Sequence, residues 1–362
     1  MERPMNRLWW LVLLVACTAA PPEIPQDPVS QPPVLDRYEG SLGPGSLNLS
    51  ITLFQSDLPN PSVERMKLVP AELRYLSFLL RQQLSASGYW GAVRVTPDDD
   101  VTAEVVCRGR LLDAVPERLE ILMRCSDVSG RPWLEEVFQE TVPLSAYSVA
   151  ASVHDPYLDL MTRIANRLAK LRLDLTLEDR QQLAELALLR YGETLSPQHF
   201  SAYLGENEEG FKVLRRLPAE EDPMLQRVLR IRATEHQLID ALDEQCEVIF
   251  EAMKAPYHWW RGYQFEFDQY NQSLGQKQDA TNGKIATDYR TLLATYRRYQ
   301  DYRRNQDELA EMSQSLAREI TPTLTQVEGQ VVELTGSLTG QYELWRSYLQ
   351  QIYDAERSPN QP

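Results

Sequence analysis

The chain has 362 residues, with 37 lysines and arginines against 52 aspartates and glutamates, for a formal net charge of −15. So acidic a surface argues against nucleic acid as a partner and against direct adhesion to anionic headgroups. The length is enough for two domains of ordinary size.

At the amino terminus, Arg3 and Arg7 precede an unbroken apolar run from Leu8 to Ala16. That run is shorter than the roughly 20 apolar residues a membrane span needs. Its layout is that of a secretory signal over residues 1–16. The run ends in Leu14-Val15-Ala16-Cys17, which resembles the bacterial lipobox. The resemblance implies a lipidated cysteine (diacylglyceryl on sulfur, with palmitate-type chains) and cleavage ahead of Cys17. Thr18, in place of aspartate, implies the periplasmic face of the outer membrane rather than the inner one. Two or more acyl chains give stable anchoring without a basic patch. Pro21, Pro22, Pro25, Pro28, Pro32 and Pro33 follow, so residues 17–45 are expected to be an extended tether.

Residues 46–172 read as a small α/β domain. Leu47, Leu49, Ile51 and Leu53 alternate with polar residues, the period of a half-buried strand. A helix is expected from Pro70 to a cap at Gly88, with Leu73, Leu76, Leu80 and Leu84 at helical spacing. A strand follows over Trp90 to Val95. Val101 to Leu112 and Arg118 to Asp127 then form a hairpin, with Leu112 facing Glu120. That register sets Cys107 opposite Cys125, which leaves two readings open: a cross-strand disulfide, or two small buried thiols in contact. Cys246 has no evident mate. A strand near Trp133 to Glu140 and a helix over Pro156 to Leu171 close the domain.

The order strand, helix, strands, helix carries Leu49 to Phe54, Gly88-Tyr89-Trp90, and Cys125-Ser126-Asp127-Val128-Ser129-Gly130 before a strand. In these features the segment resembles the TolB amino-terminal domain family, relatives of which occur in envelope lipoproteins. The resemblance implies a domain that binds another envelope protein.

From about residue 173 the pattern turns helical. Thr176 and Asp179 form a capping-box-like start. Long helices are expected at about 223–255, 282–320 and 322–356, the last on Leu324, Val327, Val331, Leu334, Leu338, Tyr342, Trp345 and Leu349. Spacing that alternates three and four is the seam of a helical hairpin or of a dimeric coiled coil. The fold class is therefore α+β, a small α/β domain followed by a mainly helical one.

Chemistry is sparse. His154, His199, His236 and His258 fall in no metal-ligand spacing, and His236 reads as a solvated surface residue. Asp155 reads as a helix cap. There is no nucleophile elbow, phosphate loop or Cys-x-x-Cys, so no cofactor and no catalysis are expected. A carboxylate pair of a glycan-cleaving envelope hydrolase is the third-ranked reading, with no pair standing out. The densest feature is Tyr257, Trp259, Trp260, Arg261 and Tyr263, within six rings over eleven residues. These residues form either a binding cluster, for a protein partner or for peptidoglycan, or the packing of a bend between two long helices. The expectation is a non-enzymatic scaffold of the cell envelope, with a peptidoglycan-binding lipoprotein as the alternative.

Overall fold

The computed structural model describes residues 32–40, 43, 45–58, 63–100, 102–147, 155–219, 221–280, 300, 303–304, 307, 311, 323–327, 330–334 and 338–357. Cys17, His154 and most of the expected 282–320 helix lie outside them. Among the described residues no helix is long and apolar enough to cross a membrane.

The sheet begins with β1 (Leu49–Thr52) and the two-residue β2 (Gln55–Ser56). Helix α1 (Val63–Ser87) then crosses over to β3 (Val93–Thr96), which pairs parallel to β1. Strands β4 (Val105–Val115), β5 (Arg118–Asp127) and β6 (Pro132–Thr141) form an antiparallel meander, giving the order β3-β1-β4-β5-β6. On the inner face, Leu119, Ile121, Met123 and Cys125 are buried, and they alternate with more exposed residues as a one-sided antiparallel sheet requires. Helices α1 and α2 (Leu158–Leu173) pack on each other; Leu76, Leu80 and Leu84 of α1 and Leu160, Ile164 and Leu168 of α2 are all 0 % exposed.

A helix start and a strand register here differ from the sequence expectation, and β3 and β4 begin at Val93 and Val105 rather than at Trp90 and Val101. Helix α1 starts at Val63, so Pro70 lies inside it rather than at its first turn. It does end at Gly88, whose φ of 70° is the left-handed conformation that closes a helix. In the β4–β5 hairpin the ladder slips between Leu111 and Asp113, so Glu120 faces Asp113 and Leu112 is the bulged residue. The slip lies beyond Cys107, which faces Cys125 and is joined to it by a disulfide.

The expected tether docks well before residue 45. Asn166 holds Val34 and Asp36 through backbone hydrogen bonds of 2.8 and 2.9 Å. Tyr38 rests against the Tyr89 ring and under the Arg172 guanidinium at 5.5 Å.

Helix α3 (Leu177–Leu195) opens with the full capping box of Thr176 and Asp179. A short α4 (Pro197–Phe200) and a small hairpin, β7 (Leu204–Glu206) with β8 (Lys212–Leu214), follow where the sequence reads as helical turns. Helix α5 then runs from Pro223 to Ala280, straight through Pro256. The bend expected at 256–267 is therefore absent. A mid-helix proline forfeits a hydrogen bond and crowds the preceding turn. Here Phe250, Met253, Tyr257 and Trp260, on both sides of it, are buried on one stripe and hold the helix in place.

The expected 322–356 helix is likewise not formed as one piece. Thr323–Val327 (β9) and Gln330–Leu334 (β10) pair as an antiparallel hairpin, and only Leu338–Arg357 (α6) is helical. Thr323, Thr325, Val327, Val331 and Val332 are β-branched, which favours a pleated surface over a helix. Residues 33–362 form one compact unit.

Candidate functional site

Four residues of helix α5 decide what the aromatic segment can do. Tyr257, Trp260 and Arg261 face inward at 1 %, 2 % and 0 % exposure, whereas Trp259 is 53 % exposed. Tyr263, one turn on, is half-buried and stacks on Trp259 with the ring centroids 6.4 Å apart. The cluster thus divides into a buried part and a solvent-facing pair of rings. Gly262, between them, lets Tyr147 approach so closely that a Cβ would lie 2.8 Å from the tyrosine's own Cβ.

The buried part is a polar knot joining three elements. Arg261 forms an ion pair with Glu72 of α1, and its Nη1 donates to the Ala114 carbonyl of β4 at 2.7 Å. Tyr257 donates to Glu72 Oε1 at 2.9 Å. Burial by itself lowers the Arg261 pKa, and the facing Glu72 carboxylate together with Tyr157, Tyr257 and Tyr147 more than reverses this, so the guanidinium stays charged. Burial pushes the Tyr257 phenol well above its ordinary range. The hydroxyls of Tyr147 and Tyr157 share a 2.9 Å hydrogen bond beside it.

Next to this knot stands a second group that the sequence does not assemble. His258 Nε2 is 3.0 Å from Asp155 Oδ2 and 3.1 Å from the Tyr75 hydroxyl, which also bonds Asp155. Burial, then the Asp155 charge, raises the Tyr75 phenol. The other Asp155 oxygen accepts the Tyr157 N–H at 2.8 Å, a turn contact in place of the expected cap on α2, which has no side-chain cap. A His–Asp–Tyr set resembles acid–base machinery in composition, but all three side chains are bound to one another and link α5, α1 and the approach to α2.

The amino-terminal half of α5 is tied down in the same way. Arg94 and Asp240 form a double hydrogen bond of 2.7 and 3.0 Å, and Arg232 reaches Glu104 at 2.7 Å. His236 is half-buried, bonded to Thr102 Oγ1 at 3.0 Å, so it is not the solvated residue expected. Burial lowers its pKa to about 3. On the opposite side Glu235 takes Arg346 of α6 at 3.1 Å. Among the described residues no group of three or more histidines, cysteines or carboxylates is placed to hold a metal.

Asp243 gives these contacts a pH signature. It is 3 % exposed, lies 3.2 Å from Arg81 and accepts the Val95 N–H at 3.3 Å. Burial outweighs both contacts and pushes its carboxyl up to about 7. The unfolded carboxyl titrates near 3.8, so between about pH 4 and 7 the folded state holds the proton more firmly. Its stability contribution is full below that window and is lost as pH rises through it. An Asp243→Asn variant is expected to match the parent near pH 4 and to exceed it by roughly 2–4 kcal/mol at pH 8. Arg81 keeps Glu247 as a partner at 2.7 Å. Urea titrations at the two pH values check this, and a variant that is less stable at pH 8 contradicts it.

A cleft of about 430 Å³ opens elsewhere, between the turn after β5, helix α3 and the β7–β8 hairpin. Arg131, Lys212, Arg215 and Arg216 line it together with Leu183 and Phe211. The sequence gives no hint of it beyond two turn signals, Gly130 and Gly210, both at positive φ.

No protein-family model matches the chain, and no curated protein matches it. Among solved structures, a PelC dodecamer from Paraburkholderia phytofirmans is similar to 38 % of this chain, over 98 % of its own, at 15 % sequence identity and a TM-score of 0.25.

Proposed function

We propose that the protein is a non-enzymatic lipoprotein of the bacterial envelope, held through lipid on Cys17 at the periplasmic face of the outer membrane, with a body that binds another envelope protein. The observation that carries this reading is the use made of the reactive side chains. His258, Asp155 and Tyr75 form one bonded group and Glu72 and Arg261 another, each tying helices together, and the cavity that Tyr75 lines holds only about 10 Å³. The surface instead presents Trp259 at 53 % exposure, an aromatic of the kind that anchors interfaces, with Val137 and Val248 exposed at 56 % and 70 %. The lipobox-like Leu14-Val15-Ala16-Cys17 and the proline-rich segment after it support the anchor.

One observation favours a second reading. Trp259 and Tyr263 lie nearly parallel, 22° apart, and form a two-ring platform on which a sugar of peptidoglycan could stack.

A single experiment separates the two. A photoreactive residue is placed at position 137, 248 or 259 of the full chain and irradiated in intact cells grown with labelled palmitate. A labelled, discrete protein adduct from one or more positions is the expected result. Attachment to the sacculus from position 259 alone would replace the protein partner with glycan. A chain that takes up no palmitate and gives no adduct refutes the proposal.

A further inference from the structure

The cleft beside α3 carries a charge that the rest of this acidic chain does not lead one to expect. Arg131 follows the β5–β6 turn, and Arg215 and Arg216 follow β8 directly. Among the described residues none of the three has a carboxylate within ion-pair distance. Two acidic residues of the lining are anchored by neutral donors. Asp127 accepts from Ser129, from the Arg131 backbone and from the Trp133 indole, the last at 2.9 Å. Asp179 is held by the Thr176 hydroxyl and backbone N–H at 2.6 and 2.9 Å. Lys212 is paired with Glu206 at 3.0 Å. Glu185 also lines the cleft, so four basic side chains share it with three acidic ones.

Two of those guanidiniums are fixed in place. Arg131 stands over the Phe211 ring at 5.7 Å and Arg216 over the Tyr203 ring at 5.0 Å. An arginine lying on an aromatic face keeps its planar fork of N–H donors free for a carboxylate, with less entropy to lose on binding.

The backbone of β8 supplies a second element. Arg215 N–H donates to the Tyr203 carbonyl and Asn207 N–H to the Phe211 carbonyl, with Gly205 opposite Val213 between them. In an antiparallel ladder the intervening residues turn their N–H and C=O groups outward. Lys212 shows this directly, since its N–H donates to Ser129 O at 2.9 Å, across the cleft's own lining. The next groups on that edge are the Lys212 carbonyl and the Leu214 N–H, which have no backbone partner among the described residues. They are an acceptor and a donor on the same side of one strand, the pair that an added strand engages.

We infer that this cleft takes an extended acidic peptide segment of a partner protein, which adds to the outer edge of β8 while its carboxylates meet Arg131, Arg215 and Arg216. Alternate side chains of such a segment fall on Leu183, Leu186 and Phe211. The net charge of −15 repels an acidic segment over the rest of the surface, which leaves the cationic rim as the place of docking. The inference rests on reading the body as an interaction module and is independent of the lipid anchor.

The test is fluorescence anisotropy of the full chain in detergent with a labelled ten-residue peptide alternating glutamate and valine. Saturable binding is expected, weakened at least tenfold when glutamine replaces glutamate and again when alternate amides are N-methylated. Arg131→Gln/Arg216→Gln, both at exposed positions, should weaken it at least tenfold with an unchanged melting temperature, while Arg108→Gln, outside the cleft, leaves it intact. Equal binding of the glutamine peptide, indifference to N-methylation, or no saturation below about 1 mM overturns the inference. Complete displacement by inorganic phosphate together with indifference to N-methylation identifies a bare anion site instead. Failed titration alongside protein adducts at position 137, 248 or 259 removes the cleft and leaves the interaction module standing; successful titration without adducts does the reverse.

Discussion

Replacing Arg261 with methionine is expected to lower the free energy of unfolding by about 3–5 kcal/mol. The two side chains are similar in length, so the change is chiefly one of charge and hydrogen bonding. Glu72, 1 % exposed, then loses the guanidinium but keeps the Tyr257 hydroxyl, and the Ala114 carbonyl loses the Nη1 donor. A buried carboxylate without a countercharge either remains ionised at high cost or takes up a proton. Burying a carboxylate beside a lost countercharge costs most where the group must stay ionised. The loss should accordingly be larger at pH 8 than at pH 5. Adding Glu72→Gln removes the carboxylate charge and leaves an amide oxygen for Tyr257, so the double variant should recover most of the deficit. Urea denaturation followed by tryptophan fluorescence measures all three. A single-variant loss below about 1 kcal/mol, the range of an exposed pair, contradicts a buried tie between α5 and α1.

The pair also marks where the sequence stops being legible. The partners stand 189 residues apart, and no local pattern distinguishes Glu72 from the other polar residues of α1. Its burial is imposed by α5, whose course the local rules misread at Pro256. The stripe Cys246, Phe250, Met253, Tyr257 and Trp260 recurs at three- and four-residue spacing through the proline, and all five are buried. Extending the helical period past residue 255 would have placed Tyr257 and Trp260 inside and Trp259 outside. At residues 323–334 the error ran the other way. Leu324, Val327, Val331 and Leu334 fit a helical seam, but the β-branched content and Glu328-Gly329 fit a hairpin, and short apolar runs satisfy both periods. The β7–β8 hairpin has three residues in each strand, too few to show any period. The α/β part was more readable because β4 and β5 are eleven and ten residues long and β5 buries one face, which fixes alternation and register together, whereas β1, expected half-buried, is buried on both faces. Even there the bulge at Leu112 went unseen, because inserting one residue changes the pairing without changing the composition.

Cys107→Ser/Cys125→Ser is expected to cost about 2–3 kcal/mol. Closing a loop over a sequence separation of 18 limits the unfolded chain by about 3 kcal/mol on loop-closure entropy. The gain is an upper figure here, because β4 and β5 are joined by a short turn and their denatured ensemble already favours proximity. Both sulfurs lie in the core, at 0 % and 2 % exposure, so the serines also leave two hydroxyls to satisfy there. Dithiothreitol separates the two contributions. It should shift the urea midpoint of the parent downward and leave the double variant where it was, and the residual difference between reduced parent and variant reports the hydroxyls. Cys246 does not confuse the measurement, since burial raises its thiol to about 12 and keeps it protonated and enclosed until the chain unfolds. A parent that is indifferent to reductant, or that offers thiols at 107 and 125 to a labelling reagent without reduction, would show that the hairpin is held by its ladder and core contacts alone. The register would then owe nothing to the covalent bond, and the alternation of Leu119, Ile121 and Met123 against α1 and α2 would have to set it unaided.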